Sequence, residues 1–136
     1  MSFQLTSTDG PEAVCFSLSR GLSVNEWRCE LPKYLFEASY TPAGSAGVVK
    51  DGGSGRRAAA EKLIQSLGGT LECMYFAFGP VDVFAIVDLP DHAAAAAISL
   101  ATASSGAMTG RMTVLLTPEE IDDASSRGVT YTPPGQ

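Results

Sequence analysis

One histidine, His92, is all that this chain of 136 residues contains. A Ser-His-Asp triad or a multi-histidine metal site within one subunit is therefore excluded unless His92 belongs to it. Basic residues are scarce as well: nine Lys and Arg against fifteen Asp and Glu give a formal net charge of -6. They are scattered, so no basic patch offsets the repulsion of nucleic acid or an anionic membrane, and neither is expected as a partner. There is no long hydrophobic run. The longest uncharged stretch, Ala93 to Gly110, is Ala, Ser, Thr and Gly with only Ile98, Leu100 and Met108 as larger apolar groups, too weak to span a bilayer. The start Met-Ser-Phe-Gln-Leu lacks the basic flank and apolar core of a signal peptide. Cysteine is limited to Cys15, Cys29 and Cys73, an odd number with no C-x-x-C pair, which reads as reduced thiols in a cytoplasmic protein. No cofactor or metal is expected.

What is present is a chain of 45% hydrophobic residues, enough for one domain with a proper core. Residues 1–31 hold no sustained period and read as an N-terminal extension, poorly ordered or packed on a neighbour. From Lys33 the aromatic-rich KYLFEASY predicts a strand that ends at Thr41-Pro42. Pro42 to Lys50 predicts a short helix, and Asp51-Gly-Gly-Ser-Gly55 a break before a longer one in which Ala60, Leu63, Ile64 and Leu67 share a face. Thr70–Phe78 and Val81–Leu89 predict two strands joined by a tight turn at Gly79-Pro80. Asp91 is the expected cap of an Ala-rich second helix that stops at Ser105-Gly106. Met108–Leu116 predicts a fourth strand, Thr117-Pro-Glu-Glu120 starts a third helix to about Ser126, and residues 127–136 form a tail. The expected domain, residues 32–126, is α+β: a four-stranded antiparallel sheet with two helices on one face and a short C-terminal helix.

The segments PKYLFEASYTPAG, Arg56-Arg57 before AAAEKLIQSLGG, MYFAFGPVDVFAIVDLPD and LTPEEID resemble, in that order, the GYD domain family of small bacterial and archaeal proteins. In Gly79-Pro80-Val81-Asp82 the family's Gly and Asp are kept, and Val81 stands where its Tyr would be. The resemblance implies a ferredoxin-like βαββαβ fold akin to the dimeric α/β barrels, and no particular activity. It also implies that relatives begin near Leu31, so that residues 1–30 are an extension or an upstream misreading of the start.

Period 2 splits each strand between two faces. Tyr34, Phe36, Ala38, Tyr40, Leu71, Cys73, Tyr75, Ala77, Val83, Ala85, Val87, Met112, Val114 and Leu116 are expected to face the helices. The other face would carry Leu35, Glu37, Ser39, Glu72, Met74, Phe76, Phe78, Phe84, Ile86, Arg111, Thr113 and Leu115, too apolar for water. It is expected to be covered by a second copy, giving a homo-oligomer, a dimer or higher. In the strand order of a ferredoxin-like fold Glu37 and Arg111 are neighbours, with Asp82 at the edge beside Phe84.

Two readings follow for these charges. One is a mostly buried ion pair plus a turn-capping Asp. The other is a small-molecule site formed by Glu37, Ser39, Phe76, Asp82, Phe84 and Arg111, with Glu37 as base or acceptor and Arg111 as anion anchor. His92 reads as a solvated residue of a first helical turn and Cys73 as a small buried apolar residue. Gly44–Gly55, ahead of a helix carrying Arg56 and Arg57, resembles an anion-binding arrangement but lacks the Lys of a P-loop, and reads rather as a flexible connector. Tyr34, Tyr40 and Tyr75 read as aromatic core. Catalytic residues are not identifiable. The expected function is a ligand-binding or regulatory module, the alternative a cofactor-independent oxygenase or isomerase of the dimeric α/β barrel kind.

Overall fold

The computed structural model describes residues 31–136, so the expectations for residues 1–30 lie outside the described residues. The elements are β1 (Lys33–Tyr40), α1 (Pro42–Ser66), β2 (Thr70–Phe76), β3 (Val83–Asp88), α2 (His92–Ser104), β4 (Met108–Leu115) and α3 (Pro118–Ser126). The strands form one antiparallel sheet in the order β2-β3-β1-β4. The expected α+β, ferredoxin-like arrangement is the one observed.

Each helix begins as its sequence dictates. Thr41 Oγ1 accepts from Gly44 N at 3.2 Å with Pro42 in the first turn. Asp91 Oδ1 accepts from Ala94 N at 2.8 Å. Thr117 and Glu120 form a reciprocal capping box, Glu120 N donating to Thr117 Oγ1 and Thr117 N to Glu120 Oε2. Inside α1 only Gly52 leaves helical geometry, at φ 72° and ψ 166°. The break expected over Asp51–Gly55 is thus a one-residue kink, and Gly44–Gly55 is helical rather than a flexible connector. A single glycine reaches a left-handed φ without a Cβ clash, so Gly53, Ser54 and Gly55 are free to resume the helix.

The core lies between the sheet and the two longer helices. Tyr34, Leu71, Ala85, Val87 and Leu89 are buried against Ile64 of α1 and Ala94, Ala95 and Ile98 of α2, with Phe36, Met74 and Met112 at its margin. Of the helical stripe expected in α1, Ile64 is buried, Ala60 and Leu67 pack at the edge and Leu63 is exposed. Val114 and Leu116, expected under the helices, are also exposed.

Two departures concern β2. A bulge between Leu71 and Cys73 inserts one residue, so pairing runs Leu71↔Val87, then Cys73↔Ile86, Met74↔Ala85 and Tyr75↔Phe84. Everything after the bulge changes face: Met74 and Phe76 turn to the helices, Cys73 and Tyr75 away from them. The connection to β3 is also longer than a tight turn. The strands end at Phe76 and resume at Val83, and Ala77 N closes the loop by donating to Asp82 O at 2.8 Å.

The start of α1 is pressed onto the entry to β4. Thr41 N donates to Ala107 O at 3.0 Å, and a Cβ on Gly44 would stand 1.8 Å from that same oxygen. Gly47, in the same helix, has open space where its Cβ would go. Urea denaturation is therefore expected to show Gly44→Ala destabilised by about 1–3 kcal/mol, as for an overpacked site. Gly47→Ala should be neutral or stabilised by up to about 1 kcal/mol from helix propensity. Equal effects would mean that the close approach does not limit this corner.

Candidate functional site

The sheet face turned away from α1 and α2 can be read row by row from the register. The first row runs Thr70, Asp88, Lys33, Leu115; the second Cys73, Ile86, Leu35, Thr113; the third Tyr75, Phe84, Glu37, Arg111; and Ser39 pairs with Thr109 beyond them. The middle is apolar, with Leu35, Phe84 and Ile86 half-buried, and charges gather at two ends. At one end Lys33 Nζ donates to Asp88 Oδ1 at 2.7 Å and also to Glu72. At the other, Arg111 grips Glu37 with two parallel bonds, Nε to Oε2 at 2.8 Å and a terminal nitrogen to Oε1 at 3.1 Å.

The predicted pair is therefore adjacent but not mostly buried. Glu37 is largely covered, with 15% of its side chain exposed, whereas Arg111 is 72% exposed because β4 is an edge strand. The Arg111 guanidinium, hydrogen-bonded to Glu37, holds that carboxyl below its usual value, and Glu37 raises Arg111 in return. The hydrogen bond to Asp88, then that to Glu72, pushes Lys33 up to about 12.

Of the six proposed site residues, Glu37, Ser39 and Arg111 line one groove of about 330 Å³ with Pro80, Val81 and Thr109. Phe84 stands beside Glu37 on the same face. Asp82 is turned elsewhere: its Oδ2 accepts from Tyr40 N at 2.8 Å and its own N donates to Ala38 O at 2.9 Å. It closes the end of the β1 ladder, which is the turn-capping role. Phe76 is on the opposite face, its ring against Gly53 of α1, because the bulge reversed that part of β2. Ser39 Oγ is already used, donating to Pro80 O at 2.8 Å.

Beneath the helices is a cavity of about 120 Å³ between α1, α2 and the sheet, lined by apolar side chains together with Tyr40, Thr102 and Arg56. Ile64, Leu71, Ala85 and Val87 in its walls read as core, but Met74 was expected on the other sheet face, and nothing local shows that Arg56 borders a cavity. Nor does anything local show that His92 is tied to the interior. The buried Tyr34 hydroxyl lies 2.6 Å from His92 Nδ1, with the rings edge to face at 6.0 Å. Burial, and next the negative charge of Asp91, raises the Tyr34 hydroxyl above its ordinary value. Tyr75, by contrast, is exposed on the far face, so the three tyrosines form no cluster. Cys73 lies on that far face too rather than in the core. Among the described residues no group of three or more His, Cys, Asp or Glu is placed to hold a metal, and no helix is long and apolar enough to cross a membrane.

An antiparallel β2-β3-β1-β4 sheet with its helices on one face and a shallow polar groove on the other defines a small ferredoxin-like domain. Residues 34–125 match the GYD domain family model, and the chain belongs to the GYD domain family. No curated protein and no solved structure matches it.

The high-pH behaviour of this face has a definite sign. Lys33 and Tyr34 both have pKa values raised by folding, so the folded chain holds protons that the unfolded chain has lost. That contribution is complete below the unfolded values and is lost as pH climbs through the folded ones. Stability to urea is expected to fall as pH rises from about 10 towards 12, and Lys33→Met should flatten the part of that slope above pH 10.5. The amplitude will be modest, because the Lys33 side chain is 39% exposed and solvent screens its pairs. A slope unchanged in Lys33→Met would show that these ion pairs do not hold the proton.

Proposed function

We propose that this domain is an oligomeric binding module in which two copies pack sheet to sheet and hold a small molecule in the groove at Glu37 and Arg111. The observation that carries the reading is the composition of the open face. A sheet with one solvated face normally alternates apolar and polar side chains, but here Leu35, Phe84 and Ile86 occupy the middle, with charged residues only towards the ends. An apolar centre with a polar rim is the anatomy of a protein interface. The partner is a second copy of this chain: acidic Glu37 and basic Arg111 lie side by side, so a two-fold related copy presents the complementary charge to each. The exposed Tyr75 continues the apolar surface towards β2.

In such an assembly Arg111 supplies an anion anchor and Glu37 an acceptor, the role being ligand binding or regulation by a ligand. The reading as a cofactor-independent oxygenase or isomerase needs Glu37 to take a proton near neutral pH. Arg111 lowers its affinity for one, which weighs against that alternative. A cytoplasmic location accords with the unpaired Cys73 and the odd cysteine count.

Sedimentation at micromolar concentration is expected to give a dimer or larger species, and Phe84→Asp to give monomer or aggregate. Native mass spectrometry of protein purified from its own host should find that stoichiometry with a small molecule retained, and Arg111→Met should lose the molecule. A monomer by sedimentation, or an assembly untouched by Phe84→Asp, would overturn the sheet-to-sheet arrangement.

A further inference from the structure

The cavity on the helix side is separate from the groove just described, and its chemistry is specific. Its volume, about 120 Å³, approaches the roughly 150 Å³ at which an apolar protein cavity takes up benzene, so it accommodates one six-membered ring or a short branched chain. The thioethers of Met74, Met108 and Met112 line it, and such unbranched, polarizable side chains adjust to a guest more readily than branched ones.

Among its lining residues only Arg56 is charged. Arg57, Arg111 and Arg127 each donate a hydrogen bond to a carboxylate, whereas among the described residues Arg56 donates none. Among the described residues its one ion contact is Asp51 at 3.8 Å, beyond hydrogen-bond reach. The Thr102 hydroxyl is committed to the carbonyls of Ile98 and Ser99. The cavity is thus bordered by one arginine that donates no hydrogen bond among the described residues, by Tyr40 and the committed Thr102, and otherwise by apolar side chains.

We propose that this cavity binds a small apolar carboxylate, an aromatic ring or short branched chain of matching size whose anionic end is held by Arg56. Binding involves no covalent step. The ring packs against the apolar lining, and the carboxylate accepts from a planar donor fork suited to it. The site lies on the opposite side of the sheet from Glu37 and Arg111, so it stands or falls independently of the assembly reading.

The test uses the full chain carrying ¹³C-labelled methionine methyls, titrated with benzoate and, separately, with benzyl alcohol, a neutral ligand with the same ring. Saturable shifts of the Met74, Met108 and Met112 methyls are expected with both, and benzoate should bind about tenfold more tightly, as for a charge-assisted hydrogen bond. Arg56→Gln should bring benzoate down to the level of benzyl alcohol while leaving benzyl alcohol unchanged. Arg57→Gln and Arg127→Gln should change neither. Absence of a saturable shift at those methyls overturns the site. Equal affinity of the two ligands for the unaltered chain, or a benzoate preference that survives Arg56→Gln, overturns the anion anchor. The two-ligand comparison on the unaltered chain stands even if the variant fails to fold.

Discussion

Strand β1 is the member on which the other elements depend. It pairs with β4 over all eight residues from Lys33 to Tyr40 and with β3 from Lys33 to Ala38, so both its edges are satisfied and its register orders the sheet. Because side chains alternate, that register sends Tyr34, Phe36 and Ala38 to the helices and Lys33, Leu35, Glu37 and Ser39 to the other face. The core and the candidate groove are two sides of one strand. A slip of one residue would bury Glu37 and Lys33 and expose Tyr34, a cost that protects the register.

The loops around β1 reinforce this arrangement. Asp82 uses both its carboxylate and its backbone N–H on β1, and Thr41 uses both its N–H and its hydroxyl at the turn into β4. These bonds satisfy backbone groups where the ladders end, positions otherwise left without partners as the chain turns away. They also fix the rim of the groove: Pro80 and Val81 are held beside Ser39 because Asp82 anchors their loop. The residue that looked available for chemistry is occupied with architecture, and its neighbours form the groove as a result.

The two faces differ in how they manage charge. On the open side the carboxylates of Glu37, Glu72 and Asp88 have cations within reach, and the cations are paired in turn. On the helix side Arg56 borders a largely apolar cavity and has, among the described residues, one distant acid, Asp51. Paired surface charges contribute little to stability, and their value lies in fixing geometry. A cation left with unused donors beside apolar volume is a more selective feature, since an anion there gains hydrogen bonds that no side chain competes to make.

The element order, the helix caps at Thr41, Asp91 and Thr117, and the juxtaposition of Glu37 with Arg111 were all legible in the chain itself, because each follows from local chemistry or from strand adjacency in a known topology. The helical stripe of α1 was legible too, though only Ile64 of it is deeply buried. The bulge after Leu71 was not: TLECMYF reads as an uninterrupted strand, and only its pairing with β3 places two residues opposite one. With it went the faces of Cys73, Met74, Tyr75 and Phe76. The exposure of Arg111, the contact of Tyr34 with His92 and the cavity at Arg56 were equally out of reach, since each depends on distances between elements far apart in sequence. Which segments become helix and strand is written in the local chemistry of the chain, since caps, kinks and alternation act within a few residues. Tertiary structure alone decided which side chains share a surface, because that rests on the register and packing of segments that only folding brings together.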